Sequence, residues 1–571
     1  MVHNLVMSRS LVVSVAILGV LTVTPRAQTG SSLAKLKTKA EASDFKSTST
    51  YRDVVAFMKV VEAEAHGLVH YTSYGTTSEG REMPMAVVGL NLKDASPATV
   101  KASGKLRVHI QGNIHAGEVE GKEAAQILLR ELGLGQHAEW LQNEVLLITP
   151  IFNADGNERF DMNNRARQNG PINGEGTRAN GQNLNINRDF MKLDTPEGRA
   201  FAKLWNDYDP QVGFDLHTSD GSNHGYYLTY SPPLNPDTSD LIMSIMKNEW
   251  FPFVTKNIKA KHGWDTFYYG NVQGGPGGGG RRAGAPGAAG AAAAPPTPPP
   301  PPPATPATPA LRAWQTFEHV PRFHNNYVGM RNRFALLSEA YAYATFEDRI
   351  KATNYFLEEA LTFASQNALK LKKAVADADN EKIPGMTLAT RARIKTGDTV
   401  TILMGEVEDE KNPNTGGMMN RRKDIVKPEQ MTDKMWFEPS SVEVAPTEYY
   451  IPATATRALD LLRAQGVEMR QLSSAVKGVE QFSITSNTQR PANGGIDTGA
   501  HGLRTLEGKW DAADASTTVP KGAWAVSLKQ PLARLAFYLI EPTSDDGLTA
   551  WNFLDDMLGT DAKVYPILRK R

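Results

Sequence analysis

Leu106-Arg-Val-His-Ile-Gln-Gly-Asn-Ile-His-Ala-Gly-Glu118 is the stretch on which the reading of this chain turns. Leu106, Val108 and Ile110 alternate as in a short strand, and Gly112-Asn113 breaks it. His115 and Glu118 follow. Residues 119–132 then carry Ala124, Ala125, Ile127, Leu128 and Leu132 at helical spacing. A His and a carboxylate three residues apart, at the carboxyl end of a strand, can turn toward one point. Nitrogen plus carboxylate oxygen suits zinc, whose catalytic sites take three protein ligands and leave one position open. The pair alone does not separate a metal site from a polar loop, so its partners decide.

Composition narrows the field around it. The 571 residues leave room for roughly two to four domains. The 62 basic and 62 acidic residues balance, which gives no field for nucleic acid, and 40% hydrophobic content is that of an ordinary soluble globular protein. Absence of cysteine excludes disulfides, thiolate metal sites and cysteine nucleophiles. Arg9 precedes an apolar run over residues 11–23, and Pro25-Arg-Ala-Gln28 offers a cleavage zone near Ala27. That is the architecture of an export signal over residues 1–28, and the run is short for a membrane span. No other stretch is apolar and long enough to cross a bilayer. The expectation is a secreted or periplasmic protein with no stable membrane span once the signal is removed.

Working outward, residues 51–69 read as a helix. The turn-rich Gly75-Thr-Thr-Ser-Glu-Gly-Arg81 leads to a strand over 83–90. A second apolar run, 145–152, ends in Asn153-Ala-Asp-Gly156, a turn signal. Residues 157–187 are rich in Asn, Gly and Arg, and a loop of that length inside a compact domain is functional or disordered. A helix over 196–208 has Pro in its first turn. Strand 212–216 delivers His217, and strand 225–230 precedes a helix over 236–260. This order is that of an α/β sheet covered on both faces. Residues 274–310 change to Gly, Ala and Pro, a composition that buries no core. Strand 334–338 then delivers Glu339, and a helix spans 348–375. Because candidate site residues lie on both sides, 274–310 reads as an insertion within one catalytic domain, residues 45–380. Strand signals at 399–404, 448–451 and 524–528, with a helical stretch over 456–464, give a β-rich or α+β accessory region over 386–571.

The strand ends carry the chemistry, as the carboxyl edge of an open α/β sheet is where ligands bind. His217 supplies the third ligand that the first pair lacks, giving His115, Glu118 and His217. His224 competes for that place, but a strand end holds a ligand more rigidly than a Gly-Ser-Asn loop. Asp220 reads as a supporting residue or a turn former. Zinc in such a set lowers the pKa of its water and polarises a substrate carbonyl. Glu339, after the apolar Phe334-Ala-Leu-Leu337, is the candidate general base.

Six pieces in order, Gly75 to Arg81, His115-Ala-Gly-Glu118, Asn153-Ala-Asp-Gly156, Asn187-Arg-Asp-Phe190, Asp215-Leu-His217 and Ser338-Glu339, make the chain resemble the zinc carboxypeptidase family typified by pancreatic carboxypeptidase. The resemblance covers roughly residues 51–350. It implies a mixed twisted sheet flanked by helices, with one zinc per chain held by His115, Glu118 and His217 and Glu339 activating water. It also implies that Arg167 stabilises the oxyanion, with Arg165 a near competitor, and that Asn187 and Arg188 clamp the substrate's terminal carboxylate. A planar guanidinium suits that clamp because it binds a carboxylate bidentately. The family's substrate-capping tyrosine falls where 274–310 interrupts the chain, which leaves Tyr327 as the cap and Tyr268 and Tyr269 as alternatives. Asn185-Ile186 stands where the family often has Asp/Asn-Leu. The implied function is an exported metallocarboxypeptidase acting on peptides or proteins with a free C-terminus. The rivals are a cell-wall peptidase or N-acyl amino acid amidohydrolase on the same fold, and a non-catalytic binding protein on a peptidase scaffold.

Overall fold

The computed structural model describes Met1, residues 32–273 and residues 311–571, so the rest of the expected export signal and the insertion lie outside the described residues. The strands before residue 342 are β1 (Val69–Thr76), β2 (Glu82–Val88), β3 (Leu106–Gly112), β4 (Glu144–Thr149), β5 (Val212–Ser219), β6 (Leu228–Ser231), β7 (Thr266–Tyr268), β8 (Asn271–Gln273), β9 (Ala313–Gln315) and β10 (Phe334–Tyr341). An eight-stranded sheet runs in the order β1-β2-β4-β3-β5-β10-β6-β7. Its centre, β4-β3-β5-β10, is parallel, and antiparallel pairings flank it at β1–β2, β2–β4 and β10–β6. Parallel neighbours need crossovers. Helices Glu120–Gly133 and Pro196–Tyr208 lie on the connections from β3 to β4 and from β4 to β5.

Every residue of β5 is buried, as expected of a central strand with cover on both faces. Alternation sends Met83, Met85 and Val87 of β2 into one core and Ala86 and Val88 into the other. On one face Val54, Leu128, Val254 and Phe356 bring in helices Tyr51–Glu64, Glu120–Gly133, Phe251–His262 and Phe346–Gln366. On the other face Phe201 and Trp205 of Pro196–Tyr208 meet Tyr449, Leu459, Phe537 and Trp551. Those four belong to the C-terminal region, which therefore shares the second core of the sheet.

Local chemistry explains the element ends. The Thr195 side chain accepts from the Gly198 N–H, Pro196 fills the first turn, and Asp209 at φ 48° ends that helix in a left-handed turn. The helix expected over 236–260 is divided into Asp240–Ile245, a π turn at Met246–Trp250, and Phe251–His262. Pro252 lacks the N–H that a continuous ladder needs at that joint.

The C-terminal strands are β11 (Thr387–Lys395), β12 (Thr399–Lys411), β13 (Met418–Lys434), β14 (Trp436–Val444), β15 (Glu448–Ile451), β16 (Arg470–Gln471), β17 (Glu480–Arg490), β18 (Leu503–Ala512), β19 (Trp524–Ser527) and β20 (Leu568–Lys570). They form a β11-β14 pair, a six-stranded sheet β16-β19-β15-β20-β17-β18, and a β12-β13 hairpin extended by β9 and β8. β8 and β9 pair antiparallel with Gln273 opposite Ala313, so residues 274–310 are inserted between the two strands of a hairpin. Among the described residues no helix is long and apolar enough to cross a membrane.

Candidate metal centre

β3 ends at Gly112, where a Cβ would lie 3.0 Å from backbone atoms of Gly121 and Pro150. Asn113 follows in a left-handed conformation at φ 64°. Its side-chain amide donates to the carbonyls of Ala116 and Glu118 at 3.2 and 3.3 Å, folding residues 113–118 into a turn that points His115 and Glu118 inward. On β5, Asp215 and His217 share a face because they are two residues apart. Glu339 of β10 pairs with His217 in the adjacent parallel strand. The sheet thus presents the two at its carboxyl edge, side by side.

His115, Glu118 and His217 are only 3–4% exposed, and their ligand atoms lie within 4.8 Å of one another. Nδ1 of His115 is 2.9 Å from Glu118 Oε1, and Nδ1 of His217 is 2.7 Å from Oε2. The outer nitrogens also have partners: His217 Nε2 lies 2.8 Å from Asp215 Oδ2, and His115 Nε2 lies 3.2 Å from Asn185 Oδ1. Burial, reinforced by Arg178, pushes His115 down to about 3 and keeps it neutral. Burial also works against charge on His217, but Asp215 and Glu118 outweigh it and hold that imidazole well above its ordinary range. Burial opposes ionisation of Glu118, yet His115 and Arg165 hold it well below the usual carboxylate range. Arg178 can only donate and lies 3.2 Å from His115 Nδ1, so that nitrogen turns a lone pair toward Glu118 Oε1, a contact that a cation among the three groups resolves. Two imidazoles and one carboxylate are a zinc donor set. The residues fit the metal.

Glu339 is partly buried, and the loss of water around it raises its carboxyl above the ordinary range although His217 pulls the other way. Arg165 donates to Glu118 Oε1 at 2.6 Å. Arg178 donates to His115 Nδ1 at 3.2 Å, with Glu118 Oε1 3.7 Å away. Arg167 is directed elsewhere, donating to Asn420 Oδ1 of β13 at 2.8 Å. Asn187 is buried, with its Nδ2 3.4 Å from His217 Nε2. Arg188 donates to the Asn187 carbonyl at 2.6 Å and lies 3.7 Å over the Phe323 ring. Burial, with Arg178 the next cause, pushes its guanidinium down to about 9. Such a group gains from any anion placed against it.

Tyr327 lies in the core, where its ring stacks on Phe190 and its hydroxyl meets Gln465 and Arg331. Tyr268 packs among Tyr230, Phe251 and Trp436. Tyr269 meets the Phe317 ring edge-on and its hydroxyl accepts from Asn271 Nδ2 at 3.1 Å, while burial and then Glu339 raise that hydroxyl. His224 is buried against Tyr341 and Trp314, away from the trio. Asp220 follows β5 within electrostatic reach of Arg165 and Glu339. Sequence reading passed over Arg178, which sits in the same arginine-rich loop as Arg165 and Arg167 and has no periodicity to mark it. It also passed over the partner of Asn185, the C-terminal Asp497, whose Oδ1 accepts from Asn185 Nδ2 at 2.7 Å.

The chain matches the zinc carboxypeptidase family over residues 54–259, a span that includes His115, Glu118, Asn187, Arg188 and His217 and ends before Glu339. Carboxypeptidase 2 of Trichophyton rubrum and that of Trichophyton equinum are each 26% identical to it over 165 residues, 28% of this chain. The match spans 27% of the length of those relatives. Similar solved structures include a metallo-carboxypeptidase from Burkholderia cenocepacia, with 16% identity, a TM-score of 0.37 and coverage of 56% of this chain and 70% of that one. Carboxypeptidase A from Helicoverpa armigera gives 14% identity, a TM-score of 0.38 and coverage of 59% and 76%.

Proposed function

We propose that the chain, whose residues 54–259 match the zinc carboxypeptidase family, is a zinc metallocarboxypeptidase cleaving the last peptide bond of substrates with a free C-terminus. The observation that carries this reading is the convergence of His115, Glu118 and His217 beside Glu339. One zinc per chain would sit on that trio, where it supplies Lewis acidity toward the scissile carbonyl and lowers the pKa of an attacking water. Glu339 takes the proton from that water and delivers it to the leaving amine, and a carboxyl raised by burial suits both halves of the transfer. Arg188, desolvated and backed by Asn187, holds the terminal carboxylate. Arg178 faces the ligands and takes the oxyanion role first expected of Arg167, whose guanidinium is engaged with Asn420. Tyr269 takes the capping role first expected of Tyr327, which is buried in the core. Export is part of the proposal, supported by the signal-like composition of residues 1–28.

Metal analysis of the purified chain tests the reading. It should find about one zinc per chain, removed by a chelator together with peptidase activity. A folded protein that holds no zinc and binds none when supplied would overturn it.

A further inference from the structure

The two histidine ligands are held from behind in different ways. His217 Nε2 meets a carboxylate directly, Asp215 Oδ2 at 2.8 Å. His115 Nε2 meets an amide, Asn185 Oδ1 at 3.2 Å. The other partners of that amide fix its orientation. The Asn187 backbone N–H donates to the same Oδ1 at 3.1 Å, so this atom is the acceptor, and Nδ2 donates to Asp497 Oδ1 at 2.7 Å. His115 Nε2 therefore carries the proton, and Nδ1 keeps the lone pair that faces Glu118. Arg178 requires the same tautomer, because a guanidinium only donates and its Nη1 lies 3.2 Å from Nδ1.

Asp497 lies between β17 and β18, on a loop of the C-terminal region that grips this segment at several points. The Ile496 carbonyl accepts from the Asn185 N–H at 2.7 Å. His501 Nε2 meets Asp194 Oδ1 at 3.1 Å. Gly499, at φ 58°, is packed so that a Cβ would lie 3.2 Å from Leu184 Cδ2. A ligating histidine that donates its outer N–H to a fixed acceptor is oriented and made more basic, and losing such a partner weakens metal binding. The acceptor here is a neutral amide, and the bond from its Nδ2 to Asp497 fixes which way its oxygen faces.

We propose that Asp497 is a positioning residue of the metal centre, acting through Asn185 to present His115 Nδ1 as a ligand, so that the C-terminal region is part of the site as well as of the core. This rests on the zinc reading proposed above. Asp497 also attracts Arg178 and Arg188, so a purely electrostatic effect on the substrate clamp is the competing explanation.

The test is the zinc affinity of the metal-free full chain, measured by competition with a chromophoric chelator, with the visible spectrum of the Co(II)-loaded protein as a second readout. Asn185→Ala should weaken zinc by about 10–100-fold and Asp497→Ala by about tenfold. Asp497→Asn keeps an acceptor oxygen for Asn185 Nδ2 and should recover most of that affinity and the wild-type cobalt spectrum. It also keeps the question answerable if the alanine variant fails to fold. A wild type that binds zinc but is matched by Asp497→Ala overturns this proposal alone. Equal weakening by Asp497→Ala and Asp497→Asn overturns it in favour of the charge effect. A wild type that takes up no zinc overturns the metal reading, and this proposal with it.

Discussion

Glu339 and His217 stand opposite each other in the parallel pairing of β10 with β5. The proposed base and one proposed ligand are therefore set by the same ladder of backbone hydrogen bonds, and their spacing does not depend on a loop. Replacing the carboxylate by an amide of the same shape should leave that ladder intact. Glu339→Gln should keep its zinc and lose about 10²–10⁴-fold in kcat. The pH profile follows from the same residue. Burial raises the Glu339 carboxyl, and a base works only when ionised, so kcat/KM falls as pH drops through that raised pKa. A bound dication favours the ionised form and lowers the midpoint from its metal-free position. The acid limb should still lie above the roughly 4.3 of an ordinary glutamate, and the Gln variant should lose it. An acid limb that survives in Glu339→Gln would assign the base elsewhere.

Arg188 bears on substrate choice. A hydrogen bond to a charged group contributes about 1.5–3 kcal/mol, so Arg188→Ala should raise KM for peptides with a free terminal carboxylate by about 10–100-fold. Zinc content should not change, because no ligand rests on Arg188. An Arg188→Ala enzyme with unchanged KM would remove the clamp.

Arg178 and Arg167 make opposite predictions. Arg178 lies on the ligands, 3.2 Å from His115 Nδ1, and Arg167 lies on Asn420. Arg178→Ala should cost about 10²–10³-fold in kcat, the scale of a lost oxyanion donor. Arg167→Ala should stay near wild type in kcat. The reverse ranking would restore the role first expected of Arg167.

The shared core makes a prediction about stability. Trp551, in the C-terminal region, is fully buried and its indole N–H donates to Asp546 Oδ1 at 2.7 Å. It belongs to the same cluster as Phe201 and Trp205 beneath the main sheet. Trp551→Ala should destabilise by about 3–5 kcal/mol, seen as a lower denaturant midpoint for one cooperative transition of the whole chain. Two transitions, with only one of them shifted, would show that the C-terminal region unfolds by itself.

The parts of the site that were legible in the sequence are those carried by strand ends. Alternation at Leu106, Val108 and Ile110 and the break at Gly112-Asn113 mark a strand and its exit, and all five residues are buried or turned as that pattern requires. The order of His115, Glu118, His217 and Glu339 was readable because a parallel sheet aligns such ends whatever lies between them. Loop geometry was not readable. Residues 157–187 contain Arg159, Arg165, Arg167 and Arg178 with no repeat, and contacts made far along the chain decide which faces the trio. Arg167 is taken by Asn420, 253 residues on. Asn185 is held by Asp497, 312 residues on. Tyr327 went to the core because Phe190 and Phe201 surround it with aromatic surface, a neighbourhood that spacing alone does not reveal. The expected export signal, Met1 apart, and residues 274–310 fall outside the described residues.

The most direct test of the central claim compares two peptides of one sequence, one ending in a free carboxylate and one in an amide, incubated with the zinc-loaded full chain and followed by mass spectrometry. The account predicts stepwise loss of single residues from the free-acid peptide, abolished by chelator, and little or no release from the amide. Equal cleavage of both peptides, or cleavage only at internal bonds, would contradict it.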